Sequence, residues 1–163
     1  RRHLRGALES RYRKVREKAA FELAGKKDAA AYDALARFLK EANDPAGQYA
    51  ILNALTALGD KRASDALLDR VENDPGGTAQ ADALIRAAAG FRVPATADRL
   101  FAMLDKRKDR RDVIHAAILT VSGHDQYIGD SDDQNPQDRA AWMKDQHPRH
   151  DAILARLLEW TLA

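Results

Sequence analysis

Apolar residues recur at intervals of three and four along most of this chain, and the runs come in pairs. The first pair is Tyr12, Val15, Ala19, Ala20 and Leu23, then Leu35, Phe38 and Leu39; the second is Ile51, Leu52, Leu55 and Leu58, then Leu67 and Leu68. A third pair follows through Leu84, Ile85 and Ala88 to Leu100, Phe101 and Leu104, and a further run holds Val113, Ile114, Ala117, Ile118 and Val121. This spacing predicts amphipathic helices with one buried face each. The first run of each pair closes on a glycine, at Gly25, Gly59, Gly90 and Gly123, spaced 34, 31 and 33 residues apart. Each second run opens on a shared phrase: Tyr32-Asp33-Ala34-Leu35, Ser64-Asp65-Ala66-Leu67, Ala97-Asp98-Arg99-Leu100 and His150-Asp151-Ala152-Ile153. A two-helix unit of about thirty-odd residues cannot bury its own apolar face, so the units must stack into a solenoid.

Helix boundaries are marked in the same register. Asn43-Asp44-Pro45 and Asp74-Pro75 place a capping aspartate before a proline at the first helical position, where no intrahelical N–H bond is lost. Gly59-Asp60 pairs a residue suited to a left-handed cap with one that can start the next helix. From glycine to aspartate the spacing is 8, 6 and 8 residues in the first three units but 28 from Gly123 to Asp151, so about 20 residues, over 124–147, are inserted in the fourth turn.

The segment Ala57-Leu58-Gly59-Asp60-Lys61-Arg62-Ala63-Ser64-Asp65-Ala66-Leu67-Leu68 resembles the turn and second helix of the short bacterial HEAT repeats, the class similar to the phycobilin-lyase HEAT-like repeat. The likeness runs over about residues 10–163 outside the insertion, and departs in the third unit, where Gly90-Phe91-Arg92-Val93-Pro94 replaces the glycine-aspartate turn. It implies an all-α, right-handed α-solenoid of about four helical hairpins, with the second helices along the concave face. It does not imply one function, because this fold serves scaffolds, bilin lyases and DNA-repair proteins alike.

Composition narrows the field. The 163 residues suit one domain, 45% hydrophobic with only 6% aromatic, so helices meet on small side chains rather than around a large aromatic cavity. Cysteine is absent, which excludes disulfides, thiolate zinc sites and cysteine nucleophiles. No apolar run reaches the roughly 20 residues of a membrane span, and a cytoplasmic location is expected. The chain opens without Met and closes in the apolar run Leu157-Leu158-Glu159-Trp160-Thr161-Leu162-Ala163, as expected of a piece of a longer protein. The net charge of +2 conceals an uneven distribution: residues 1–27 hold ten Lys/Arg and three Glu, about +7.

Candidate chemistry is sparse. Asp130, Asp132 and Asp133 begin like a calcium loop, but Asn135 and Ala141 stand where glycine and glutamate are required. His147 and His150 flank Pro148 without a third ligand at diagnostic spacing, and Ser122, His124 and Asp125 are too close in sequence to converge as a triad. No metal, cofactor, small-molecule substrate or catalytic residue is expected. The expected function is a non-catalytic scaffold or regulatory segment whose partner is another protein or other domains of a longer chain. Partner contacts are assigned to the second-helix face at Tyr32, Arg37, Asp65, Asp69 and Arg99, and to the insertion at Tyr127, Asp132, Asp133, Trp142 and His147. An alternative is nucleic-acid binding in a repair or defence assembly. There the turn cations Lys26, Lys27, Lys61, Arg62 and Arg92 track phosphates together with the basic N-terminal helix.

Overall fold

The computed structural model describes residues 1–73 and 80–123, with Ala152, Ala155, Arg156 and Glu159 beyond them. The helices in order are α1 (Arg2–Ala7), α2 (Arg13–Gly25), α3 (Tyr32–Glu41), α4 (Pro45–Leu58), α5 (Ala63–Glu72), α6 (Ala81–Gly90), α7 (Pro94–Lys106) and α8 (Arg111–Val121), with single 3₁₀ turns at Ala29–Ala31 and Lys108–Arg110. No strand occurs among the described residues. The protein is all-α, and its contacts divide it into two compact units, Arg1–Phe91 and Arg92–Ala163, with the boundary in the turn of the third hairpin.

In the first unit the predicted hairpins α2–α3 and α4–α5 stack in register: α2 packs on α4, α3 on α5, and α5 and α4 on α6. The core is the predicted set. Leu23, Leu35, Leu39, Leu55, Leu67, Leu84 and Ile85 are wholly buried, and Phe38 nearly so. Alanines fill the gaps between them, including Ala20, Ala24, Ala63, Ala88 and Ala89. Small side chains let helix backbones approach closely at native packing density.

Buried polar groups tie the hairpins together. Gln48 Nε2 and Arg70 Nη2 both donate to the Ala42 carbonyl at the end of α3, at 2.9 and 3.1 Å, joining α3 to α4 and α5. Ser64 Oγ donates to the Ala88 carbonyl at 3.0 Å, joining α5 to α6. Each satisfies a carbonyl near a helix end that would otherwise be costly to bury. In the second unit α7 packs on α8, burying Leu100, Phe101, Met103 and Leu104 with Ile114, Ala117 and Ile118.

Several boundaries differ from expectation. The basic segment is two helices, not one, because the chain breaks at Ser10, whose Oγ accepts from the Tyr12 amide at 3.2 Å. Tyr12 is then the residue before α2 and is 56% exposed, not buried, and Val15 stays 43% exposed since the only helix preceding α2 is six residues long. Gly59 takes the left-handed conformation as predicted (φ 72°), but in the first and third turns that role falls two residues after the glycine, on Lys27 and Arg92, each at φ 53°. Gly25 and Gly90 end their helices as ordinary helical residues. Asp33 and Asp65 lie in first turns, whereas α7 starts at Pro94 and leaves Asp98 in its second turn. The 124–147 insertion and the fourth phrase at Asp151 lie outside the described residues.

Candidate docking groove and the turn cluster

A groove of about 590 Å³ opens in the first unit, between α2 and the start of α4, and the end of α3 closes it. Helical spacing makes one wall: Arg13, Glu17 and Phe21 lie four residues apart and share a face of α2. Across from them, Asp44, Gly47, Ala50 and Ile51 come from the first turns of α4. Phe38, Glu41, Ala42 and Asn43 complete the lining. Its apolar part is Phe21, Phe38, Ala50 and Ile51, with Ala50 exposed and Phe38 nearly buried.

Charge is arranged around this apolar patch. Arg13 Nε donates to Glu17 Oε1 at 2.7 Å, and Arg13 Nη1 lies 3.5 Å from Glu41 Oε2. The same guanidinium sits 6.0 Å from the Phe38 ring centroid. Its hydrogen bond to Glu17, more than any other influence, holds the Arg13 guanidinium above even its usual basic range. Asp44 caps α4 by accepting from the Gly47 amide at 2.6 Å. A Cβ at position 47 would stand 2.6 Å from Asp44 Oδ2, so glycine lets the cap sit close without the Asp44 side chain shifting. The lining carries three carboxylates and one cation, and it holds no histidine, serine or other nucleophile.

The turn edge is organised differently. Asp28 and Asp60 each accept from the amide two residues on, Ala30 at 3.2 Å and Arg62 at 3.0 Å; Asp28 thereby caps the 3₁₀ turn before α3, whereas α5 starts at Ala63 after Arg62 with no side-chain cap, so Asp60 shapes the turn instead of capping the helix as expected. Asp28 also receives Arg5 Nε and Nη2, each at 3.0 Å; its side chain is 3% exposed against 59% for Arg5. Hydrogen bonding from Arg5 first, then from the Ala30 amide, holds the Asp28 carboxyl below the ordinary carboxylate value. Arg62 grips both oxygens of Asp60 (Nη2 to Oδ2 2.7 Å), lies 4.0 Å over the Tyr32 ring and 4.0 Å from Asp33. Tyr32 Oη in turn donates to the Arg62 carbonyl at 3.0 Å, and burial pushes its phenol up.

Tyr32 and Arg62, assigned from sequence to separate surfaces, therefore form one cluster that locks α3 to α5. Of the turn cations, Lys26, Lys27 and Lys61 are exposed, Arg62 is exposed but paired with Asp60, and Arg92 Nη1 donates to the Thr120 carbonyl at 3.0 Å within the second unit. Arg37 is exposed on α3, 6.0 Å from the Phe38 ring, and Asp65 is exposed on α5. Asp69 is half-buried, its carbonyl accepting from Asn73 Nδ2 at 2.8 Å, and Arg99 is half-buried on α7. Tyr127, Asp132, Asp133, Trp142 and His147 lie outside the described residues. The groove escaped the sequence reading, although Arg13, Glu17 and Phe21 at fourfold spacing were its visible trace.

Stacked helical hairpins with a charged, open groove and no cluster of catalytic groups in it define a helical-repeat protein. A family model of HEAT repeats matches residues 2–85, about half of the chain, and the protein belongs to that family. Neither the curated proteins nor the solved structures contain a match. HEAT repeats commonly mediate protein–protein interactions and are generally not catalytic. Among the described residues no helix is long and apolar enough to cross a membrane, and no group of three or more His, Cys, Asp or Glu is placed to hold a metal ion.

Proposed function

We propose that this chain is a protein-interaction module and that the α2–α4 groove of its first unit is the docking surface. The observation that carries this is the groove itself: an apolar patch at Phe21 and Ala50, floored by the buried Ile51 and rimmed by Arg13, Glu17, Glu41 and Asp44. Partly exposed apolar surface inside a polar rim is the anatomy of protein interfaces. Whether the second-helix residues Arg37 and Asp65 and the 124–147 insertion add contacts is a further part of the proposal.

Nucleic-acid binding is the weaker reading. Lys26, Lys27 and Lys61 favour it, being exposed at neighbouring turns. Against it, the guanidiniums of Arg5 and Arg62 are matched by Asp28 and Asp60, so fewer cations are left to release counterions from a phosphate backbone. The test is site-specific photocrosslinking in cells, with a photoreactive residue at position 50 or at position 61 of the full chain. Protein adducts at 50 support the groove. Adducts with nucleic acid at 61, and none at 50, would replace this reading with the other.

A further inference from the structure

We infer that the groove receives an arginine side chain of its partner, carried on a segment with an apolar residue next to it; this rests on the groove being the docking surface. The protein already displays the recognition on itself. Arg13 lies between Glu17 and Glu41, so two carboxylates are spaced to accept a guanidinium. Planar guanidinium groups gain from charge-assisted hydrogen bonds to carboxylates, which match their fixed fork of donors. After Arg13 is counted, the lining still holds an excess of two carboxylates, with Asp44 and Glu41 three residues apart at the α3–α4 junction.

The internal pairs are also exchangeable. Arg13, Glu17 and Glu41 side chains are 54%, 33% and 46% exposed, and exposed ion pairs of this kind contribute little to stability. An incoming arginine can therefore share or take over Glu41 without unfolding α2. Its methylene stem would cover Phe21 and Ala50 while the head stays with the carboxylates, which is how long cationic side chains use amphipathic surfaces. Lysine offers the charge without the planar fork and is expected to bind less well.

The test is selection of a random peptide library displayed on phage against the full chain, in parallel with Glu17→Gln/Glu41→Gln, Arg13→Ala and Ala50→Trp. All substituted side chains are on the surface, and thermal melts confirm folding. Wild type is expected to enrich peptides with arginine beside an apolar residue. Their affinity should fall about tenfold or more in the double glutamine variant, since each charge-assisted bond to an incoming guanidinium is worth about a factor of ten. Arg13→Ala should bind them more tightly, and Ala50→Trp should not bind them. Enrichment of acidic or uncharged peptides that Ala50→Trp abolishes would overturn the arginine assignment and leave the docking groove standing. Basic peptides indifferent to the glutamine variants would do the same. Peptides that bind equally well to Ala50→Trp, or no enrichment from any library, would overturn both.

Discussion

The three described turns offer a clean exchange between glycine and non-glycine at a left-handed position. Gly59 has φ 72°, and a Cβ built there meets nothing within 4 Å, so Gly59→Ala changes only the backbone term. A left-handed conformation costs an L-residue about 1–2 kcal/mol. The reduced freedom of alanine in the unfolded chain returns about 0.4–1 kcal/mol. The net expectation is a loss of about 1 kcal/mol, or about 4–8 °C in melting temperature for a unit of this size. Lys27 occupies the corresponding conformation at φ 53° with an exposed side chain, so Lys27→Gly should gain a similar amount. Lys27→Ala is the control, removing the side chain at unchanged backbone cost, and should stay within about 0.5 kcal/mol of wild type. Urea and thermal unfolding followed by far-UV circular dichroism read all three. The reasoning fails if Gly59→Ala is neutral, or if Lys27→Gly destabilises as a glycine inside a helix would. Arg92→Gly is not the same experiment, because it also removes the hydrogen bond to the Thr120 carbonyl.

Three further outcomes follow from the packing and capping. Leu67→Ala, at a wholly buried position on α5, should cost about 2–5 kcal/mol in urea unfolding, a value near the surface-substitution range meaning that the hairpins do not stack as described. Asp44→Ala should cost about 1 kcal/mol through the lost cap on α4, with faster amide exchange confined to the first turn, whereas Asp44→Asn should retain most of the stability. Acid should weaken the protein through Asp28: a carboxyl held low in the fold stabilises it above the ordinary value near 3.8, and that contribution is lost as pH falls through the lower folded value. Wild type and Asp28→Asn should differ in urea midpoint at neutral pH, and the difference should shrink as acid protonates the folded carboxyl below its ordinary range; a difference that does not change with acid would show that Arg5 and Ala30 do not hold the carboxylate.

The local code was plain in the chain. Apolar spacing marked the buried faces of α3 to α8, since a residue such as Leu35 or Leu84 has one face to go to once the helix forms. Asp44-Pro45 and Gly59-Asp60 fixed boundaries through backbone chemistry that needs no distant partner. The repeat itself followed from the recurrence of those signals, and so did the family. Other features depended on residues far apart in sequence. Arg5 reaches Asp28 across 23 positions, tying α1 to the first turn, and Tyr32 reaches Arg62 across 30, tying α3 to the start of α5. The groove needs α2, α3 and α4 brought together before Arg13 can find Glu41. Sequence periodicity reports which face of a helix is buried, because that is set within one helix. Tertiary structure alone decides which charges meet across the stack, because that is set by how neighbouring hairpins are placed, and the α2–α4 groove exists only once those hairpins have packed.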